Sequence, residues 1–417
     1  MKRIIIIGGG FAGIKLAKTL NSKQFDIWLF DKNNYHQFQP LFYQVATCGL
    51  EPSSISFPLR KLFQNKINFH IRNEEVKEIV PETNCIKTSD NTYNYDYLII
   101  ATGCSTNFFG NTTIENNAIP MKSVGEALYL RNYILTNFEK ALNSSDTNKQ
   151  SFLNVVIVGG GPTGVEVSGA LAEMRKYILP KDYPELDFSK MNIYLVEASD
   201  RTLSSMSSES SKKSKEYLEK LGVNVLVSTQ VTNYDGEKVE FSNGNMILSK
   251  TLVWAAGIKG NKINGLKNET ITRGNRLKVD RYNKVENYTN IYAIGDIACM
   301  NTTLYPNGHP QVATVANEQG VHLGKNLNNL ISGQNMDEFE YGNKGSMATV
   351  GRHLAVVDLP KISFQGLLAW LFWMFLHLML ILGVKNKFIV FTNWMWKYIT
   401  FDQSLRLIIK PYNKTTK

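Results

Sequence analysis

Apolar positions along this chain fall into short runs broken by glycine. Residues 3–7 read RIIII, turn through GGG at 8–10 and continue as a helical stretch over 11–20. The same order returns later as NVVIV at 154–158, GGG at 159–161 and a helix through residue 174. Each unit is followed by a further apolar strand ending in an acid, FDIWLFD at Asp31 and MNIYLVE at Glu197. Strand, glycine turn, helix and strand make a βαβ unit, and this alternation predicts parallel sheets. Between and beyond the units the pattern predicts polar antiparallel strands over 67–80, a strand at 95–103 and a loop at 142–151. Two more strands, at 251–257 and 290–296, precede a helix over 312–330. The C-terminal stretch differs: residues 364–383 carry no charge apart from His377, and residues 388–401 mix Trp, Tyr and Phe with one lysine.

The expected architecture is therefore an α/β fold of two Rossmann-like dinucleotide-binding domains followed by a C-terminal helical membrane-binding region. A first domain splits into residues 1–115 and 262–335 around a second at 116–261, and the membrane-anchoring region follows at 336–417. A length of 417 residues agrees with more than one compact unit. A net charge of +10 calls for anionic partners such as phosphorylated cofactors or a lipid surface. No basic run with interleaved aromatics offers a nucleic-acid platform. Cys48, Cys85, Cys104 and Cys299 stand far apart without a CxxC pair, so neither a disulfide framework nor a cysteine-rich metal site is expected.

Gly8, Gly10 and Gly13 form G-x-G-x-x-G directly after a strand and at a helix start. Glycine is required there for the tight turn, for the approach of backbone to a pyrophosphate and for helix–strand packing, and Asp31 can bond ribose hydroxyls. Gly159, Gly161 and Gly164 repeat the arrangement with Glu197 as the acid. A carboxylate there repels the extra phosphate of NADPH, so NADH is expected, although Arg201 stands close by in sequence. Two dinucleotide sites in one chain point to FAD in the first and NADH in the second, because a flavin takes a hydride and passes electrons on.

The strand-end signatures ATG (Ala101, Thr102, Gly103), WAAG ending in Gly257 and YAIGD ending in Asp296 resemble those of the two-dinucleotide-binding-domain flavoproteins. That resemblance implies non-covalent FAD, with Asp296 on its ribityl and phosphate portion, and places Gly257 with NADH. Among such proteins the disulfide reductases need CxxxxC, and here Ser53 stands where the partner of Cys48 would be.

NYHQFQPLFYQVAT (34–47), VGGGPTGVE (158–166), GSMATVGRHLAVVDLP (345–360) and the aromatic tail resemble type II NADH dehydrogenase, the single-subunit, non-proton-pumping NADH:quinone oxidoreductase. The resemblance implies that Glu166 lies near nicotinamide and flavin, and that a membrane quinone, menaquinone or ubiquinone, meets Gln44, Thr314, Glu318, Lys385 and Lys387. It departs from the family at ATVANE (313–318), where Thr314 and Glu318 replace two glutamines of the quinone motif, while Gln311 and Gln319 sit off those positions. It also implies a homodimer and monotopic binding to the cytoplasmic face of the cell inner membrane. Trp370, Trp373, Trp394, Trp396 and Tyr398 would lie at the interface, and Lys361, Lys385, Lys387, Lys397, Arg406 and Lys410 would meet anionic headgroups.

Three alternatives stand beside this reading. A sulfide:quinone oxidoreductase would use Cys104 and Cys299; a non-catalytic flavin–NADH sensor would sit at the membrane without turnover; and residues 364–382 are long enough for a single transmembrane helix.

Overall fold

The computed structural model describes residues 1–403 and 405–409, so Lys410 lies outside the described residues. The chain forms two compact units. Unit 1 takes Met1–Gln37, Phe57–Ser105 and Ile258–Asn343; unit 2 takes Phe38–Ser56, Thr106–Gly257 and the described chain from Lys344 onward. Five helices matter below: α1 (Phe11–Thr19), α2 (Pro162–Tyr177), α3 (Ala313–Ile331), α4 (Leu367–Leu380) and α5 (Val384–Thr400).

Unit 1 is built on a parallel sheet in the order Ile291–Ala293, Tyr97–Ile100, Lys2–Ile7, Phe25–Phe30, Phe69–Arg72. The isoleucine run takes the central place, with Ile4, Ile5 and Ile6 fully buried. A strand covered on both faces needs apolar residues in both side-chain directions, which is why it does not alternate. Helix α1 lies against α3 at two glycines: a Cβ on Gly320 would overlap the Ala12 carbonyl, and one on Gly324 would press on Thr19. The Lys66 ammonium donates to the Ala17 and Leu20 carbonyls, placing a cation at the negative end of α1. One expectation is corrected here. Phe69–Arg72 pairs in parallel with Phe25–Phe30, and Glu78–Val80 belongs to a separate antiparallel sheet with Cys85–Lys87 and Thr92–Asn94. An edge strand of a parallel sheet is half open, so its polar alternation reads like that of a hairpin.

Unit 2 repeats the plan, with parallel strands in the order Ile119–Pro120, Thr251–Trp254, Val155–Val158, Ile193–Val196, Val223–Leu226. Pro162 opens α2, where its missing N–H costs no helical hydrogen bond. The loop expected at 142–151 is largely a short polar helix, Asp146–Leu153. Leu153 is its buried anchor, and the Gln150 amide ties its end to Asn154 and to the Lys190 carbonyl. A single apolar anchor leaves no stripe for a sequence pattern to show.

An antiparallel sheet, Ser346–Gly351, Leu354–Asp358 and Ser363–Gln365, leads into α4 and α5. Gly366 (φ +77°) and Gly383 (φ +82°) precede the two helices in left-handed backbone that favours glycine. They divide the apolar stretch into separate helices, and the 14 residues of α4 reach about 21 Å against a hydrocarbon core of about 30 Å. No helix among the described residues is long and apolar enough to cross a membrane, which corrects the alternative of a span over 364–382. On α4 Ala369, Trp373 and His377 turn inward at helical spacing, as Val390 and Trp394 do on α5.

Helix α2 meets the C-terminal sheet at Gly169, where a Cβ would overlap the Val350 carbonyl. Gly169→Ala is therefore expected to cost about 1–3 kcal/mol through overpacking. Thermal unfolding of the variant checks this, and an unchanged Tm would contradict the contact.

Candidate active site: two glycine turns and a buried carboxyl

The first turn closes because two Cβ atoms are missing. A Cβ on Gly8 (φ +114°) would overlap the Ala101 carbonyl, and one on Gly13 would overlap the Gly8 carbonyl. Gly10, by contrast, faces open space at the N-terminus of α1, where no side chain caps the first N–H groups. Such a terminus is a cradle for a pyrophosphate. The Asp31 carboxylate accepts from the Gly9 N–H (2.6 Å) and the Asn33 N–H (2.7 Å), while burial raises its pKa against those bonds. Ala101, Thr102 and Gly103 end the neighbouring strand; Thr102 Oγ1 donates to the Asn261 carbonyl (2.7 Å), and Gly103 faces open space.

Asp296 lies in the turn Gly295–Ile297, which three side chains hold. The Gln319 carbonyl accepts from the Gly295 N–H (2.8 Å), the Gln311 amide donates to the Asp296 carbonyl (2.9 Å), and the Cys104 thiol donates to the Asp296 carboxylate (2.9 Å). The two glutamines, off the quinone positions that the resemblance implies, are supports of the Gly295–Asp296 turn. Open cradle, buried acid and supported aspartate all lie in unit 1 and fit FAD.

The second turn has the same form. A Cβ on Gly159 (φ +108°) would crowd Ala255, one on Gly164 would overlap the Gly159 carbonyl, and Gly161 faces open space. Glu197 accepts from the Gly160 N–H, and also from the Ser199 N–H and hydroxyl, both at 2.7 Å. Arg201 donates to Ser208 Oγ and the Ser204 carbonyl, both at 3.1 Å, and is thereby tied to its neighbours. Gly257 (φ +73°) packs so closely on Phe109 that a Cβ would strike its ring. This turn fits NADH.

About one turn into α2, Glu166 faces a cavity of about 620 Å³ that it shares with Tyr43, Gln44, Trp373 and Trp394. Glu166 is 8% exposed. Burial raises its carboxyl well above the ordinary range, opposed by the Thr349 backbone and the Trp373 indole. That indole N–H has no hydrogen-bond partner of normal geometry, so its opposition is weak and desolvation dominates. Gln44 is fixed at both ends, its oxygen accepting from Trp394 Nε1 (2.7 Å) and its amide donating to the Tyr43 hydroxyl (2.8 Å). The lining nearest Glu166, Tyr43, Gln44, Trp373 and Trp394, is uncharged, and with a carboxyl shifted toward its neutral form it suits an uncharged ring bearing carbonyls.

Among the residues assigned to quinone, the structure brings Gln44 alone to this cavity. Lys385 is exposed at the start of α5, and Lys387 donates to the Met379 carbonyl at the end of α4 (2.7 Å). Thr314 shares a hydrogen bond with the Tyr341 hydroxyl (2.8 Å) and lies, with Glu318, on α3 in unit 1. Trp373 and Trp394, expected at a membrane interface, are 2% and 7% exposed and turn inward, whereas Trp396 and Tyr398 are exposed. Tyr43 belongs to the quoted 34–47 motif and carried that much signal in the sequence. Trp373 carried none, because apart from His377 the helix is apolar on every side and does not mark its inner one.

Cys48 is buried and its thiol is pushed up to about 12, chiefly by desolvation, so it is held as an inert thiol.

Two dinucleotide turns with their acids, and a buried carboxyl facing a cavity, define a flavin- and nicotinamide-dependent oxidoreductase. A family profile described as pyridine nucleotide-disulphide oxidoreductase matches residues 2–320, and one described as NDH2 C-terminal domain matches residues 343–401. The type II NADH:quinone oxidoreductase Ndh of Mycobacterium tuberculosis is 32% identical over 418 residues, covering 95% of this chain and 88% of the relative. NDH2 from Plasmodium falciparum, solved in complex with NADH, superposes with a TM-score of 0.91 at 24% identity, covering 98% of this chain and 100% of that one. The sulfide:quinone oxidoreductase of Aquifex aeolicus gives 0.70 at 20% identity, covering 99% and 96%, and shows the fold alone. This chain belongs to the type II NADH:quinone oxidoreductase family.

Asp31→Asn keeps the shape but weakens the charge-assisted bond to Gly9. FAD retention should fall about tenfold, since bonds to a charged group contribute about 1.5–3 kcal/mol. Flavin fluorescence released on dilution measures this, and unchanged retention would remove Asp31 from the FAD site.

Proposed function

We propose that this protein catalyses NADH + quinone + H⁺ → NAD⁺ + quinol. Residues 1–115 and 262–335 form the FAD-binding domain, 116–261 the NADH-binding domain and 336–417 the membrane-anchoring region. FAD, when bound, supplies the hydride-accepting centre that returns two electrons to the quinone. The chain's own residues bind and orient: Gly8, Gly10, Gly13, Asp31, Ala101, Thr102, Gly103 and Asp296 hold FAD; Gly159, Gly161, Gly164, Glu197 and Gly257 hold NADH. The single observation that carries the reading is Glu166, a buried carboxyl whose pKa desolvation raises, facing a cavity that also holds Gln44. Quinone reduction takes up two protons, and a carboxyl whose pKa is raised toward the working pH is suited to supply one.

A quinone dissolved in lipid requires contact with a membrane. The outer sides of α4 and α5 expose Leu368, Phe375, Val384, Phe388, Trp396 and Ile399, with Lys385 close by, which supports peripheral binding on one leaflet rather than spanning. We extend the proposal to anionic lipid, to the cytoplasmic face of the inner membrane and to a homodimer paired through the C-terminal region, the last resting on the family resemblance.

The test of the overall reaction is stopped-flow bleaching of the flavin by NADH followed by a soluble menaquinone analogue. Bleaching without reoxidation would leave a redox sensor instead. Glu166→Gln should preserve bleaching and slow reoxidation by at least about tenfold, a modest share of the usual contribution of an acid–base group. The sign of the pH effect follows from the raised pKa: the carboxyl holds its proton below that pKa and loses it above. Reoxidation should therefore fall as pH rises through the Glu166 titration, and Glu166→Gln should lack that limb; an identical pH profile in both proteins would dismiss the role. In the second turn, Glu197→Ser should raise the NADPH:NADH ratio of kcat/KM by about tenfold, about 1.4 kcal/mol of discrimination. An unchanged ratio would show that Glu197 does not set the preference.

A further inference from the structure

Beside the second glycine turn stands a side chain that the fold itself does not need. The Asn111 N–H donates to the Phe108 carbonyl (3.0 Å) and closes a turn whose central residues are both left-handed, Phe109 at φ +54° and Gly110 at φ +82°. Glycine, asparagine and aspartate favour that backbone, and a bulky ring in it is strained. Burial does not offset the strain, because Phe109 is 69% exposed. Strain of this kind gathers where a ligand is held.

The turn is tied firmly to the strand end beside it. The buried Phe108 ring lies against Trp254 at 5.8 Å, and the Trp254 indole donates to the Asn107 carbonyl (3.0 Å). The Asn107 N–H donates to the Gly257 carbonyl (3.2 Å), and the Asn107 side chain accepts from the Phe109 N–H (2.9 Å). These bonds aim the far edge of the Phe109 ring at Gly257, where a Cβ would strike it, and leave most of the ring open.

Strand order tells which part of a dinucleotide passes this ring. Val155–Val158, which leads into the glycine turn, has Ile193–Val196 on one side and Thr251–Trp254 on the other. A pyrophosphate at the turn and an adenosine ribose at Glu197 occupy the centre and the first side. The nicotinamide half then runs over the other side, past the end of Thr251–Trp254. That end is pressed against the turn, since a Cβ on Gly159 would crowd the Ala255 carbonyl, and Gly257 follows two residues later.

From this placement we infer that Phe109 is the wall against which the nicotinamide half of the bound dinucleotide packs, and that it positions that ring for hydride transfer. An open aromatic ring offers contact to a planar heteroaromatic one, and the positive charge of NAD⁺ adds to the attraction. The inference rests on the second turn being the NADH site and adds one residue to it.

The test is calorimetric titration of the full FAD-loaded chain with NAD⁺ and with ADP-ribose, which keeps adenosine, pyrophosphate and ribose but lacks nicotinamide. Oxidised flavin does not react with NAD⁺, so both titrations read binding alone. Phe109→Ala should weaken NAD⁺ about tenfold and ADP-ribose by less than about twofold, as loss of one aromatic contact requires. Phe109→Tyr keeps the ring and should bind both ligands as the wild type does. In stopped flow, the limiting rate of flavin bleaching by NADH should fall about tenfold in Phe109→Ala through lost orientation. Reoxidation of photoreduced flavin by the menaquinone analogue should be unchanged in the same variant. NAD⁺ binding that ignores Phe109→Ala, or a Phe109→Tyr variant as weak as Phe109→Ala, would overturn the inference. Equal weakening of NAD⁺ and ADP-ribose with a lowered Tm would overturn it too, by showing that the ring only packs. A wild-type protein that binds neither ligand and is not bleached by NADH would instead sink the NADH reading itself.

Discussion

Everything in this molecule that binds a dinucleotide depends on one steric fact, repeated. At Gly13 and again at Gly164 the helix backbone lies directly on the carbonyl of the first glycine of its own turn, with no room for a Cβ. That contact brings the helix start against the strand end and turns its unclaimed N–H groups outward. In both turns the acid closing the next strand bonds back to the middle glycine, Asp31 to Gly9 and Glu197 to Gly160. The acid is thereby held in place by the turn itself, so a ligand bound there would meet it already ordered.

The second turn also launches the helix on which the proposed proton chemistry lies. Its start is set by the glycines; what happens farther along is set by the C-terminal elements. The C-terminal sheet is drawn against α2 at Gly169, and Thr349 and Trp373 close over Glu166. Desolvation there shifts the carboxyl toward its neutral form. The same packing leaves Arg352 stacked between aromatic rings beyond Glu173. One cavity therefore has Glu166 at one end and, farther along α2, Glu173 paired with Lys397 at the other.

Much of this was legible in the chain. The βαβ units, both acids, the strand-end signatures and the α3 helix follow from local rules that act over a few residues. Where reading failed, the cause was an interaction remote in sequence. Phe69–Arg72 looked like a hairpin strand because its partner, Phe25–Phe30, lies elsewhere in the chain. Gln311 and Gln319 looked like displaced ligands because the turn they support is visible only when folded. Trp373 and Trp394 looked like interfacial aromatics because composition cannot say which side of a helix turns inward.

By itself the sequence determined the two turns, since a glycine where no Cβ fits and an acid at the next strand end are local requirements. It also determined that the tail is apolar and aromatic, and its glycines where that tail breaks. Tertiary structure alone decided that Glu166 is buried with its pKa raised, and that Gln44 lines the same cavity while Thr314 and Glu318 belong to the other unit. It likewise decided that Arg352 is left with no acceptor for its buried Nε and Nη1 among the described residues. Desolvation and pairing are properties of surroundings, and these surroundings come from segments far apart in the chain.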